Sequence, residues 1–102
     1  MAVYVISYDL SNSTGTEYSE LDAFIKQNID TSALKPTEST YFVYSSMTVE
    51  ELRNVLLPYF KSAGDKLVIA EVGKFSACGG SGLSKETTSS LSVKLMAQAR
   101  IL

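Results

Sequence analysis

Eleven carboxylates, one thiol and no imidazole are the chemical means of this chain. Without histidine there is no Ser-His-Asp or Cys-His catalysis, and most zinc sites lose a ligand. The thiol, Cys78, sits in Ser-Ala-Cys-Gly-Gly with no metal-type spacing around it. It reads as a small residue rather than a reactive nucleophile, and a lone cysteine forms no intrachain disulfide. That fits a reducing, cytoplasmic setting. Among the carboxylates, Asp9 stands out because it ends the apolar run Val3-Tyr4-Val5-Ile6-Ser7-Tyr8. An aspartate there can stop a strand and bond the following loop amides. It can also offer hard oxygen ligands to magnesium.

The cations are sparse. Nine basic residues against eleven acidic ones leave a net charge of −2, without the basic excess of a dedicated nucleic-acid binder. Lys61, Lys66 and Lys74 flank the last core strand and form the one plausible nucleic-acid-binding patch. A solvated rim is the plainer reading. Tyr4, Tyr8, Tyr41 and Tyr44 could stack on bases. Without arginine or lysine beside them, they pack a core or an interface more readily. Gly79-Gly80-Ser81-Gly82-Leu83-Ser84-Lys85 lacks the spacing of a phosphate loop and reads as a linker.

The elements that must position these groups follow from periodicity. Residues 3–8 are β-branched and aromatic on both faces, as a buried central strand requires. Ser11-Asn12-Ser13-Thr14-Gly15 is a polar loop. Tyr18, Leu21, Phe24, Ile25 and Ile29 then recur at helical spacing, predicting a helix over 17–28 with Asp22 outside its apolar stripe. Ser32-Ala33-Leu34-Lys35 reads as a short edge strand before Pro36. In the run 39–45, Tyr41 and Val43 share one face; Thr40, Phe42 and Tyr44 share the other. Thr48-Val49-Glu50-Glu51 is a capping box. The stripe behind it runs from Val49 to Phe60, with Pro58 kinking its last turn and Ala63-Gly64-Asp65 ending the helix. Residues 67–72 are a further strand.

From 75 to 91 the chain is rich in Ser, Gly and Thr, and residues 93–102 carry apolar side chains suited to a final helix or strand. The order strand, helix, strand, strand, helix, strand is the split βαβ pattern of the ferredoxin-like α+β sandwich. A four-stranded antiparallel sheet would carry two helices on one face. Residues 1–75 form that domain, and 76–102 a linker and tail that dock on a partner copy. Helices cover only one sheet face, so a homodimer is expected, with Tyr4, Tyr8, Tyr41 and Val43 at its interface. No signal peptide or membrane span is apparent.

The opening Val3-Tyr4-Val5-Ile6-Ser7-Tyr8-Asp9-Leu10 resembles the first strand of the small CRISPR-associated adaptation proteins, the Cas-two family. The segments Glu38-Ser39-Thr40-Tyr41-Phe42-Val43, Met47-Thr48-Val49-Glu50-Glu51-Leu52 and Asp65-Lys66-Leu67-Val68-Ile69-Ala70-Glu71-Val72 are similar to Cas-two-like proteins of the SinR family. The VapD-type toxin ribonucleases are more distant relatives of the same shape. In that family, the strand-end aspartates of two subunits approach across the dimer and can hold a divalent metal for phosphodiester hydrolysis. The resemblance therefore implies Asp9 as catalytic residue and magnesium ligand. The family often places Arg or Lys soon after this aspartate, where Ser11-Asn12-Ser13 stand here.

Three readings compete. The first is a homodimeric, non-catalytic interaction module that binds another protein, in a mobile-element or defence system. The second is a magnesium-dependent endonuclease or nucleic-acid-handling dimer. The third is an antitoxin-like or inhibitor protein. The balanced charge and the missing cations after Asp9 favour the first.

Overall fold

The computed structural model describes residues 1–11, 15–73, 85–86, 89–91 and 93–94. Its elements are β1 (Ala2–Asp9), α1 (Gly15–Phe24), β2 (Leu34–Thr37), β3 (Thr40–Ser45), α2 (Val49–Leu56) and β4 (Lys66–Glu71). The four strands are antiparallel in the order β2-β3-β1-β4, so the fold is the ferredoxin-like α+β sandwich. The first strand is central because the two flanking pairings, to β3 and to β4, both use it.

Pleating sorts the side chains. Tyr4, Ile6 and Tyr8 of β1 lie opposite Val43 and Tyr41 of β3 and Ile69 and Leu67 of β4, on one face. That face packs against Leu21 and Ile25 from the first helix, and Leu52 and Leu56 from the second. The interface expectation for Tyr4, Tyr8, Tyr41 and Val43 is thereby corrected. They are 4%, 3%, 0% and 0% exposed within a single chain, under the helices. A second copy cannot reach them. Both faces of β1 are apolar, so the strand alone could not say which one the helices take.

Local departures from the expected elements have local causes. The first helix continues past Phe24 as a π-helical turn, Ile25–Ile29. The edge strand begins two residues later than expected and includes Pro36, which an edge tolerates because one row of backbone groups needs no partner. The second helix ends at Leu56 and tightens into a 3-10 turn, Leu57–Tyr59, with Pro58 in it. Proline lacks the N–H that would extend the α ladder. Gly64 therefore serves a turn rather than a helix end. Its φ of +91°, and a site where a Cβ would stand 3.0 Å from Ser11 Oγ, both suit glycine.

The capping box forms as read. Thr48 Oγ1 accepts from Glu51 N at 3.1 Å, and Glu51 Oε1 accepts from Thr48 N at 3.1 Å. Thr48→Ala removes one acceptor from the first turn. We expect a loss of about 1 kcal/mol in urea unfolding, with an unchanged m-value.

Candidate functional site

Asp9 is exposed at the end of β1, paired in register with Lys66 of β4. It borders a cleft of about 380 Å³ together with Tyr18, Lys35, Glu38 and Ser39. The β1 end is fixed there by Tyr8 N–H, which donates to Ser39 O at 3.0 Å. Leu10 N–H donates to Tyr18 Oη at 3.2 Å. Magnesium takes carboxylate oxygen and keeps several waters. Asp9 and Glu38 are donors of that type, but the Lys35 ammonium shares their cleft. Among the described residues, no three acidic, cysteine or histidine groups converge as a metal site.

Of the three lysines read as a nucleic-acid patch, Lys61 and Lys66 are among the described residues. Lys66 lies across from Asp9. Lys61 borders a separate cleft of about 290 Å³ with Glu17, Glu20 and Asp65, which is more acidic than basic. Lys74, Cys78 and the glycine-rich run 79–84 fall outside the described residues.

Beneath the Asp9 cleft lies a cluster that the spacing argument misplaced. Asp22 accepts from Tyr41 Oη at 2.7 Å, from Tyr8 Oη at 3.4 Å and from Lys35 Nζ at 3.4 Å. The Tyr8 and Tyr41 rings stack at 6.2 Å, and Lys35 Nζ lies 5.6 Å from the centre of the Tyr41 ring. Asp22 thus reaches the sheet, although its side chain stays 29% exposed. Tyr18, Asp22, Ile25 and Ile29 follow the i, i+4, i+7, i+11 positions of one stripe. The signal was present in the spacing, but a carboxylate on an apolar stripe is not expected until its phenol partners are known.

Burial, then the Asp22 charge and its hydrogen bonds, push the Tyr8 and Tyr41 phenols above their ordinary range. Burial, then Glu71 and the helix glutamates, raises Tyr4 in the same sense. A phenol with a raised folded pKa holds its proton more tightly in the folded chain. The stabilisation is whole below the unfolded value of about 10 and is lost as pH rises through the folded value. We expect three of the six tyrosines to resist ionisation in ultraviolet titration until the chain unfolds in alkali. Tyr41→Phe would remove one of the three and leave a neighbouring carboxylate short of a donor, costing about 1.5–3 kcal/mol.

A third assembly joins the C-terminal segment to the body. Residues 85–86, 89–91 and 93–94 are helical. Lys94 Nζ meets Asp30 Oδ2 at 2.7 Å, with the two side chains 8% and 9% exposed. Asp30 also accepts from Tyr44 N at 2.8 Å, from Ser32 N at 3.0 Å and from Ser32 Oγ at 2.9 Å. Burial alone would raise its carboxyl. The Lys94 ammonium, then the Tyr44 and Ser32 donors, outweigh burial and hold it below the ordinary aspartate value. Neither Asp30 nor Lys94 carries a motif, and 64 residues separate them in the chain. Sequence alone offers no signal for the pair.

Comparison of the chain with protein-family models, with curated proteins and with solved structures finds no match in any of the three. No helix among the described residues is long and apolar enough to cross a membrane.

Proposed function

We propose that the chain is a homodimeric, non-catalytic interaction module whose working surface is the sheet face opposite the helices. The observation that carries this reading is a cross-strand row. Leu34 pairs with Phe42, Phe42 with Val5, and Val5 with Ala70, so one apolar row crosses all four strands. Its first three members are half-buried and Ala70 is exposed; on the next row, Val68 is 63% exposed. Four strands at about 4.8 Å spacing make this row roughly 14 Å long. A twofold copy can meet it with the same row. Burial at about 25 cal/mol per Å² would then support a small domain. The mixed charge around Asp9 adds weight, since Lys35 stands where a cutting site would want more oxygen donors.

Light scattering at micromolar concentration should give twice the chain mass. Val5→Lys should reduce it to the chain mass while the far-ultraviolet spectrum stays unchanged. A monomer at every concentration would overturn the dimer. Incubation with magnesium or manganese and a mixed DNA and RNA substrate should show no cleavage. Cleavage that disappears in Asp9→Ala would replace this reading with the metal-dependent nuclease suggested by the family resemblance.

A further inference from the structure

The two edges of the sheet are finished differently. β2 has four residues, contains Pro36 and breaks register between Leu34 and Thr37. Such features keep another strand from pairing. β4 forms the opposite edge, and among the described residues no strand lies beyond it. It has six residues and no proline, and its register with β1 is unbroken from Lys66 to Glu71. Val72 N–H donates to Val3 O at 2.8 Å, so Val72, Ala70 and Val68 turn their backbone groups toward β1. By the same alternation Leu67, Ile69 and Glu71 turn theirs outward, ready for an antiparallel ladder.

Beside this edge, on the helix side, a cleft of about 200 Å³ lies between α2 and β4, lined by Val49, Glu50, Arg53, Leu67 and Ile69. It has room for a side chain rather than for a free small ligand. Its charges are ordered along the strand. Tyr4 pairs with Glu71 and donates to Met47 O at 2.7 Å, so α2 starts beside Glu71. After burial, Glu71 and then Glu50 hold the Tyr4 phenol above its ordinary value, which puts both carboxylates at that end. Arg53 stands about one helical turn further along, in the cleft with Leu67 and Ile69. Among the described residues, none of these three charges takes part in an ion pair.

We propose that the β4 edge and the cleft beside it bind an extended segment of another protein, which adds antiparallel to β4 and reads, from its N-terminus, cation, any residue, aliphatic, any residue, carboxylate. The outward N–H and C=O groups of Leu67, Ile69 and Glu71 supply main-chain bonds, and alternate side chains supply specificity. The aliphatic residue lies opposite Ile69 and enters the cleft. The antiparallel direction sets the earlier charge, the cation, opposite Glu71, and the later one, the carboxylate, opposite Leu67 and next to Arg53. The residues between them fall on the outer face. This proposal rests on the interaction-module reading and names the class of partner for it.

The test uses the full chain and a fluorescent peptide, Thr-Lys-Thr-Val-Thr-Glu-Thr, in anisotropy titration at low salt. Saturable binding is expected, and its absence would overturn the proposal. Methylating the valine nitrogen removes a donor aimed at β4 and should abolish binding. Methylating the nitrogen of the threonine before it, which points away from β4, should leave binding in place. Equal effects of the two methyl groups would overturn strand pairing and the proposal with it. A peptide with lysine and glutamate exchanged should bind about tenfold more weakly, and so should the original peptide on an Arg53→Glu chain. The Arg53→Glu chain should recover with a peptide whose glutamate is replaced by lysine, and no recovery would contradict the proposed site. A wild-type mass that climbs beyond the dimer with concentration, and falls back when peptide is added, would show a second copy's β4 on the edge in place of a separate partner. Binding should persist in the Val5→Lys chain, because Val5 lies on the sheet face away from the cleft. If the wild-type chain is monomeric while the peptide pattern holds, the dimer reading falls and the site stands.

Discussion

Asp30→Ala is expected to lower unfolding stability by about 3–5 kcal/mol, the scale on which removing one partner of a buried ion pair acts. The size follows from how many groups lose their acceptor together. Lys94 is 8% exposed and would be left charged against an apolar groove, while Tyr44 N–H and the two Ser32 donors lose the carboxylate they share. Lys94→Met should cost clearly less, because the carboxylate keeps its contacts to the body and the thioether-bearing stem can stay on apolar surface. Urea unfolding of the two variants checks the order, and a larger loss in Lys94→Met would contradict it. Acid should act on the same pair. The folded Asp30 carboxyl lies below its unfolded value. Its contribution is therefore complete above the ordinary aspartate range and is lost as pH falls through the lower folded value. Asp30→Asn should flatten this part of the acid limb.

Leu52→Ala is expected to cost about 2–5 kcal/mol. Leu52 is 0% exposed and packs in the core cluster with Leu56 and the inner residues of β1 and β3. Removing its branched end leaves a void among rings and strands that cannot all move to fill it. In a domain of this size each kcal/mol lowers the melting temperature by about 4–8 °C, so the shift should be plain in calorimetry. Leu57→Ala serves as the control one turn position away, since Leu57 is 46% exposed and should change stability by less than about 0.5 kcal/mol. Similar losses in both variants would mean that the helix packs on a different face.

Much of the architecture was legible in residue order. The continuous apolar run at 3–8, the helical stripes and the Thr48–Glu51 box each depend on neighbours a few residues apart, and all of them formed. Pro58 likewise acts on its own turn, though it ended the α-helix earlier than the apolar stripe suggested. The choice of face was different. Val3, Val5, Tyr4 and Ile6 are all apolar, so periodicity could not tell which pair goes under the helices. Only the folded chain shows that Tyr4, Ile6, Tyr8 and Tyr41 take the helix side.

The polar sites depended most on tertiary structure. Asp9 was placed at a strand end by local pattern, but only the fold put Lys35 and Glu38 beside it. Asp22 becomes tolerable on an apolar stripe only when two phenols from separate strands reach it. Asp30 and Lys94 are ordinary charges in the sequence and a buried pair in the fold. Hydrophobic burial is roughly additive over local surface, so a pattern along the chain reports it. A buried charge is stable only through particular partners at hydrogen-bond distance. Those partners come from distant segments, and the folded chain alone brings them together.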